Sequence, residues 1–233
     1  MPGSAVPPLR RGLDRLPLDI GQRFRGQLPA DLDEGQRRLH DEILSGSRGA
    51  GPVLFPLTDA EGRLAGPFGP MLLSPGLGDA LQALGAGLRY RSVLPHRLRE
   101  LVVLTVAHHW GSSFEAYAHE AVGRHVGLTE VELAALRRGE APVLDDDDET
   151  VAVATARVLL ERGDLDDSEY ARAIRQLGER ALFELLTLIG YYGALALQLR
   201  VYRIGAPWLP RARGDDHGRA APPGSRVRDV SHA

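Results

Sequence analysis

The residues best suited to chemistry lie in one ten-residue stretch, GSSFEAYAHE, from Gly111 to Glu120. It sets Glu115 and His119 four residues apart, with Ser112 three residues before the glutamate. At 100° per residue the three side chains fall within about 60° of one another on a helix, and so share a face. A carboxylate bonded to an imidazole orients the ring and equips the pair to move a proton near neutral pH. The same spacing describes an ordinary i,i+4 ion pair on a solvated face, and such pairs are frequent and weak. A second acid adds weight to the chemical reading. Glu100 stands on the preceding helix among Val103, Leu104 and Ala107, in a nearly continuous apolar run. A carboxylate buried there needs a partner, and His119 or a main-chain donor can supply it. Against this, a carboxylate near a helix start is favoured anyway, though the effect fades beyond the first turn after Pro95.

Other groupings carry less. His108 and His109 suggest a metal together with His119 and His125, but adjacent histidines on a helix diverge by about 100° and do not converge on one ion. No metal site is expected. Ser112 with His119 resembles a nucleophile and its base. The two share one regular helix without a strand-to-helix nucleophile turn, so Ser112 reads as a hydroxyl donor to substrate or as a helix N-terminal residue. Arg89, Arg91, Arg97 and Arg99 surround the start of the Glu100 helix. They could hold a carboxylate, although arginines clustered at a surface turn are usually just solvated. Tyr191, Tyr192, Phe183 and Trp208 read as packing. No Gly-rich phosphate loop is present, so no nucleotide cofactor is expected.

The elements that must position these residues follow a helical period. A first helix is expected over roughly 31–45. A long Gly/Pro-rich loop then runs through Pro70, and loops of that length often cover a site or an interface. Ser74-Pro75 opens a helix to about Arg89. Pro95 opens the next, to Gly111, and the GSSFEAYAHE helix ends at Gly127. Thr129 and Glu132 form a capping-box pattern before a short helix to Arg138. The acidic run Asp145–Glu149 suits a helix start. A short helix ends at Leu177, and the last, Glu179 to about Arg203, is apolar on more than one face, which suggests a subunit contact. No strand pattern stands out. The expected class is all-α, with an extended arm over residues 1–28, a helical domain over 29–208 and a disordered tail over 209–233.

Composition narrows the function classes. The chain has 233 residues, 43% of them hydrophobic, with a net charge of −3 and no cysteine. That charge gives no reason to expect nucleic acid. The absence of cysteine excludes disulfides, thiolate metal sites and thiol chemistry. No signal peptide is read at the start, and no uncharged apolar stretch of about 20 residues, so no membrane span is expected. The expected location is cytoplasmic.

The run RLRELVVLTVAHHWGSSFEAYAHEAVGRHVGLTEVELAALRRGE resembles the core of the carboxymuconolactone decarboxylase family, which also contains alkylhydroperoxidase D. The later IGYYGALALQLRVY is similar to the family's last helix, and the resemblance covers roughly residues 30–205. In the peroxidase branch a glutamate precedes a Cys-x-x-Cys-x-x-x-His run by twelve residues. Here Glu100 lies twelve before Ser112, and Ser112, Glu115 and His119 occupy that run. In the decarboxylase branch the second cysteine position usually carries glutamate, as at Glu115. The resemblance implies an AhpD-like helical bundle in a single domain, assembled as a homo-oligomer (trimer or hexamer). Peroxide reduction does not carry over, because a serine hydroxyl cannot become a sulfenic acid. What carries over is a relay of His119 as general acid, Glu115 as its orienting partner and Glu100 as a second proton relay. The expected function is a cofactor-independent acid–base enzyme of the decarboxylase type, acting on a small carboxylated lactone or keto acid. The alternatives are an isomerase or cyclase in natural-product biosynthesis, and a non-catalytic oligomer that binds a ligand or partner.

Overall fold

The computed structural model describes residues 23–46 and 54–207. The expected arm therefore lies almost wholly outside the described residues, and the expected tail and Trp208 lie entirely outside them. Eight α-helices follow a single 3-10 turn at Pro29–Asp31: α1 Glu34–Ser45, α2 Phe68–Met71, α3 Pro75–Tyr90, α4 His96–Trp110, α5 Ser113–His125, α6 Glu130–Arg137, α7 Asp147–Arg162 and α8 Asp167–Tyr202. Among the described residues no strand forms, and one isolated bridge joins Thr58 to Leu64.

Local chemistry sets the boundaries. Asp33, Thr129 and Asp166 each close a capping box at the start of α1, α6 and α8, satisfying backbone donors that a helix start otherwise leaves orphaned. Ser74 precedes α3 as expected, but its side chain makes no capping bond; Pro75 at the first helical position carries that start. Helix α8 is interrupted at Gly178, whose φ of 79° and ψ of 164° are not helical. It is thus two helices end to end, divided where the sequence pattern separates Leu177 from Glu179.

Helix α4 is the hub. Ten consecutive residues, Leu98 to Ala107, are buried, and α5, α6, α7 and α8 all pack on it. A helix surrounded in this way must be apolar around its circumference, which explains a run as dense as LVVLTVA. The last helix, apolar on more than one face in sequence, is enclosed less completely than α4 within one chain. Most of α8 packs along α4 and α7, yet Phe183, Leu186, Gly190, Ala194, Leu197 and Val201 are exposed. At 100° per residue these six positions lie within an arc of about 80°, a continuous apolar stripe. By length and composition α8 could also cross a membrane, although 44% of its most apolar 18-residue window is buried within this fold.

Gly111 turns the chain from α4 into α5. Its φ of 61° is left-handed, and the Ser112 amide donates back to the Ala107 carbonyl at 2.8 Å, the glycine-terminated helix end that other residues enter only under strain. The resulting hairpin lays α5 back along α4. From Gly111 the path is about 16 Å back to Glu100 and about 12 Å forward to His119 at 1.5 Å per residue, so the two residues come level.

An apolar stripe of this length on a water-facing helix is a subunit contact in most proteins that carry one. Light scattering at micromolar concentration is expected to find a homo-oligomer. Ala194→Arg, which puts a charge in mid-stripe, is expected to shift it to smaller species without loss of helical circular dichroism. A monomeric parent protein would refute this.

Candidate active site

The site is built on the α4–α5 hairpin. Glu100, on α4, is 7% exposed, and His119, on α5, is 8% exposed. Their side chains meet, with His119 Nδ1 2.7 Å from Glu100 Oε2. A carboxylate only accepts, so Nδ1 carries the proton and Nε2 is left as the nitrogen that can accept another. The His119 ring stands edge-on to Tyr192 of α8 at 4.9 Å between centroids, and Tyr192 stands edge-on to Tyr191 at 5.2 Å. The imidazole is thereby held from two sides.

Glu115 is in a different situation. It is 2% exposed, and neither carboxylate oxygen has a hydrogen-bond partner. Burial pushes its carboxyl from an ordinary 4.5 up to about 8, because the charged form would be desolvated without compensation. The adjacent Ser112 hydroxyl opposes this only weakly, being too poorly placed for a hydrogen bond of ordinary geometry. Glu115 is therefore a neutral acid at pH 7, one helical turn from an oriented imidazole. The expected Glu115–His119 bond is absent. The imidazole turns across the hairpin to α4, and its orienting partner is Glu100.

Glu115 and His119 line a cleft together with Arg89, Phe55, Phe114 and Tyr192. Its free volume is about 30 Å³, enough for a water or two but not for an organic acid. Phe55, from the long loop before α2, forms part of the wall and meets Phe114 edge-on at 6.4 Å, so that loop does lie over the site. It is seated by Gly66, at φ 59°, where a Cβ would fall 2.1 Å from the Phe114 ring. Admission of anything larger than water requires the aromatic wall to move.

Two expected participants stand elsewhere. Glu100 does not border the cleft and acts from behind His119. Ser112 borders a separate groove of about 330 Å³ on the other flank of α5, with His108, Tyr117, Glu120 and Arg137. Its hydroxyl is buried and unpartnered there. The stripe expected to carry Ser112, Glu115 and His119 therefore straddles two cavities. Burial depresses the His108 imidazole, and His109 lies edge-on to Trp110. Among the described residues no group of three or more His, Asp or Glu side chains is gathered to hold a metal.

The four arginines at the start of α4 are sorted by the fold. Arg97 pairs with Glu132 and Glu149 and ties α4 to α6 and α7. Arg91 is exposed. Arg99 is buried and donates to the Leu88 carbonyl at 3.2 Å. Arg89 borders the cleft, as do Tyr191 and Tyr192, which the sequence reading assigned to packing. Phe183 is 68% exposed. For Arg89, spacing offered four equal candidates. Position at the end of α3 was the available signal, and only the packing of α3 on α8 selects it.

Glu115 makes stability pH-dependent. Below pH 4.5 its carboxyl is protonated in both folded and unfolded chains. Between 4.5 and about 8 the folded chain keeps a proton that the unfolded chain releases, so stability falls as pH rises, by at most about 5 kcal/mol. Above 8 both forms are ionised and the loss is complete. Urea unfolding of the parent and of Glu115→Gln from pH 5 to 9 is expected to give diverging curves, the parent losing stability faster. Parallel curves would show that the carboxyl is not buried as described.

Comparison with known proteins bears on the fold and on the stretch that carries these residues. Residues 75–158 match the carboxymuconolactone decarboxylase family, a span that contains Arg89, Glu100, Ser112, Glu115 and His119. The fold is similar to the crystal structure of an alkylhydroperoxidase AhpD core, an uncharacterized peroxidase-related protein from Ralstonia eutropha JMP134. The TM-score is 0.61 at 12% identity, over 78% of this chain and 90% of that one. No curated protein matches the chain. From α3 into α7, then, the chain is similar to the carboxymuconolactone decarboxylase family, without any cysteine, and its all-α fold is AhpD-like.

Proposed function

We propose that the protein is a cofactor-independent acid–base enzyme acting on a small carboxylated lactone or keto acid. The observation that carries this reading is the pairing, in one cleft, of a neutral buried acid, Glu115, with an imidazole that Glu100 fixes in one tautomer. A protonated buried acid beside an imidazole held in one orientation is the equipment of acid–base catalysis.

For decarboxylation, the bond between the substrate's carboxylate and its α-carbon breaks. CO2 leaves, and the electron pair remains on carbon, delocalised into the substrate's carbonyl as an enolate. Glu115 returns a proton to that carbon. Glu115, left as a carboxylate, is reprotonated from solvent: His119 Nε2 takes a proton from water, forming an imidazolium that Glu100 stabilises, and passes it to Glu115. The same groups serve an isomerisation or cyclisation, in which His119 removes a proton from carbon and Glu115 delivers one elsewhere. The narrowness of the cleft favours one competitor, a protein that binds a ligand without turning it over.

The test is a panel of β-keto acids and carboxylated lactones, read by CO2 release and by deuterium uptake from D2O. Once a substrate is found, His119→Ala is expected to cost about 10²–10⁴ in kcat/KM, with fold and oligomer intact. Unchanged kcat/KM in that variant would remove His119 from the mechanism. Parent activity is expected to fall above about pH 8 as Glu115 ionises, and Glu115→Gln to lose both most of the rate and that alkaline limb.

No hydroperoxide reductase activity is expected above a protein-free control, because serine and glutamate stand where the peroxidase branch has its thiols. Peroxide consumption by metal-free protein over many turnovers would contradict this.

A further inference from the structure

Among the described residues, two cations near the cleft make no ion pair. Arg89 borders it, half-buried, on the wall shared with Glu115 and His119. Among the described residues no carboxylate lies within 4 Å of its guanidinium, whose recorded contact is the Tyr90 ring at 5.9 Å. Arg99 is 6% exposed and donates to the carbonyl of Leu88, the residue just before Arg89. It too lacks a carboxylate within 4 Å among the described residues. Arg97, half a turn away on α4, has two. Burial lowers the Arg99 guanidinium below the ordinary arginine range; the Glu100 carboxylate opposes this and the Arg89 charge adds to it.

Folding leaves both guanidinium groups without a carboxylate in contact, Arg99 feeling Glu100 and Glu184 only at longer range, at a cost in desolvation. A protein that carries such a cost beside an acid–base pair gains an anion site, since guanidinium matches carboxylate in both charge and planar geometry. The remaining walls are rings: Phe55, Phe114 and Tyr192. They suit a flat, unsaturated body.

We propose that Arg89, with Arg99 behind it as a positioning charge, is the carboxylate subsite of the cleft, and that the carboxylate it holds stays in the product. This rests on the acid–base reading above and specifies its substrate. A carboxylate that departs as CO2 loses its charge in the transition state, so pairing it with arginine would stabilise the ground state more and slow the reaction. A monocarboxylate bound at Arg89 therefore undergoes proton transfer. His119 takes a proton from carbon, the C–H pair enters the enolate, and Glu115 protonates another carbon. Loss of CO2 requires a second carboxyl, held away from Arg89, whose C–C bond breaks while the first carboxylate stays bound.

The test uses the full chain and two probes of equal shape, benzoate and benzamide, in calorimetric titrations at low salt. Benzoate is expected to bind the parent more tightly than benzamide. Arg89→Gln is expected to weaken benzoate about 10- to 100-fold and to leave benzamide unchanged, with Arg89→Lys recovering part of the loss. Arg99→Gln is expected to weaken benzoate alone and Arg99→Lys to recover it. Loss of both probes alike in the two Arg99 variants would make Arg99 structural and overturn its part. Equal benzoate affinity in the parent and Arg89→Gln, or no benzoate binding by the parent, would overturn the subsite. His119→Ala is expected to bind benzoate within about threefold of the parent. A failure of catalysis by His119 is thereby read separately from a failure of the subsite.

Discussion

The Glu100–His119 bond is the constraint around which this fold is arranged. Glu100 lies within ten consecutive buried residues of the most enclosed helix, where an unpaired carboxylate would cost several kcal/mol. The partner comes from α5, nineteen residues along the chain. To bring it there the chain must reverse within one residue, which Gly111 does by adopting a left-handed conformation. The register of α5 against α4 is then held by this buried polar contact, with His108 of α4 and Glu120 of α5 4.0 Å apart farther along the same hairpin. A slip of one residue along α5 would swing the imidazole about 100° away and leave the glutamate unsatisfied.

The same register decides what else α5 presents. With His119 turned to α4, Glu115 cannot pair with it and is left between Phe114, Ala118 and the aromatic wall with no donor. Its elevated pKa follows from that placement. The fold keeps an acid protonated by withholding partners and provides an oriented base by supplying one, both on a single helical turn. The stability forgone at Glu115 is the kind of local expense that functional sites carry and cores avoid.

On the far flank of α5, Ser112 borders a groove that Glu115 does not. Its hydroxyl nevertheless lies beside the Glu115 carboxyl, since residues three apart on a helix are neighbours. The carboxylate–imidazole contact across the hairpin needs no cysteine.

The sequence by itself determined the all-α class, the helix boundaries written in caps and glycines, the break at Gly178, and the short set Glu100, Glu115 and His119. Those features depend on local rules: capping chemistry, a 3.6-residue period, and a carboxylate set where an apolar run demands a partner. Tertiary structure decided how that set divides. Spacing along one helix makes Glu115 and His119 neighbours, but only packing on α4 shows that the imidazole prefers Glu100. It also separated Arg89 from three other arginines, gave Tyr191 and Tyr192 a place in the cleft wall beside their part in the core, and enclosed α4 while leaving an apolar stripe of α8 exposed. Each of these outcomes depends on which face of a helix meets which neighbour, and a residue's own period fixes the faces without naming the neighbour.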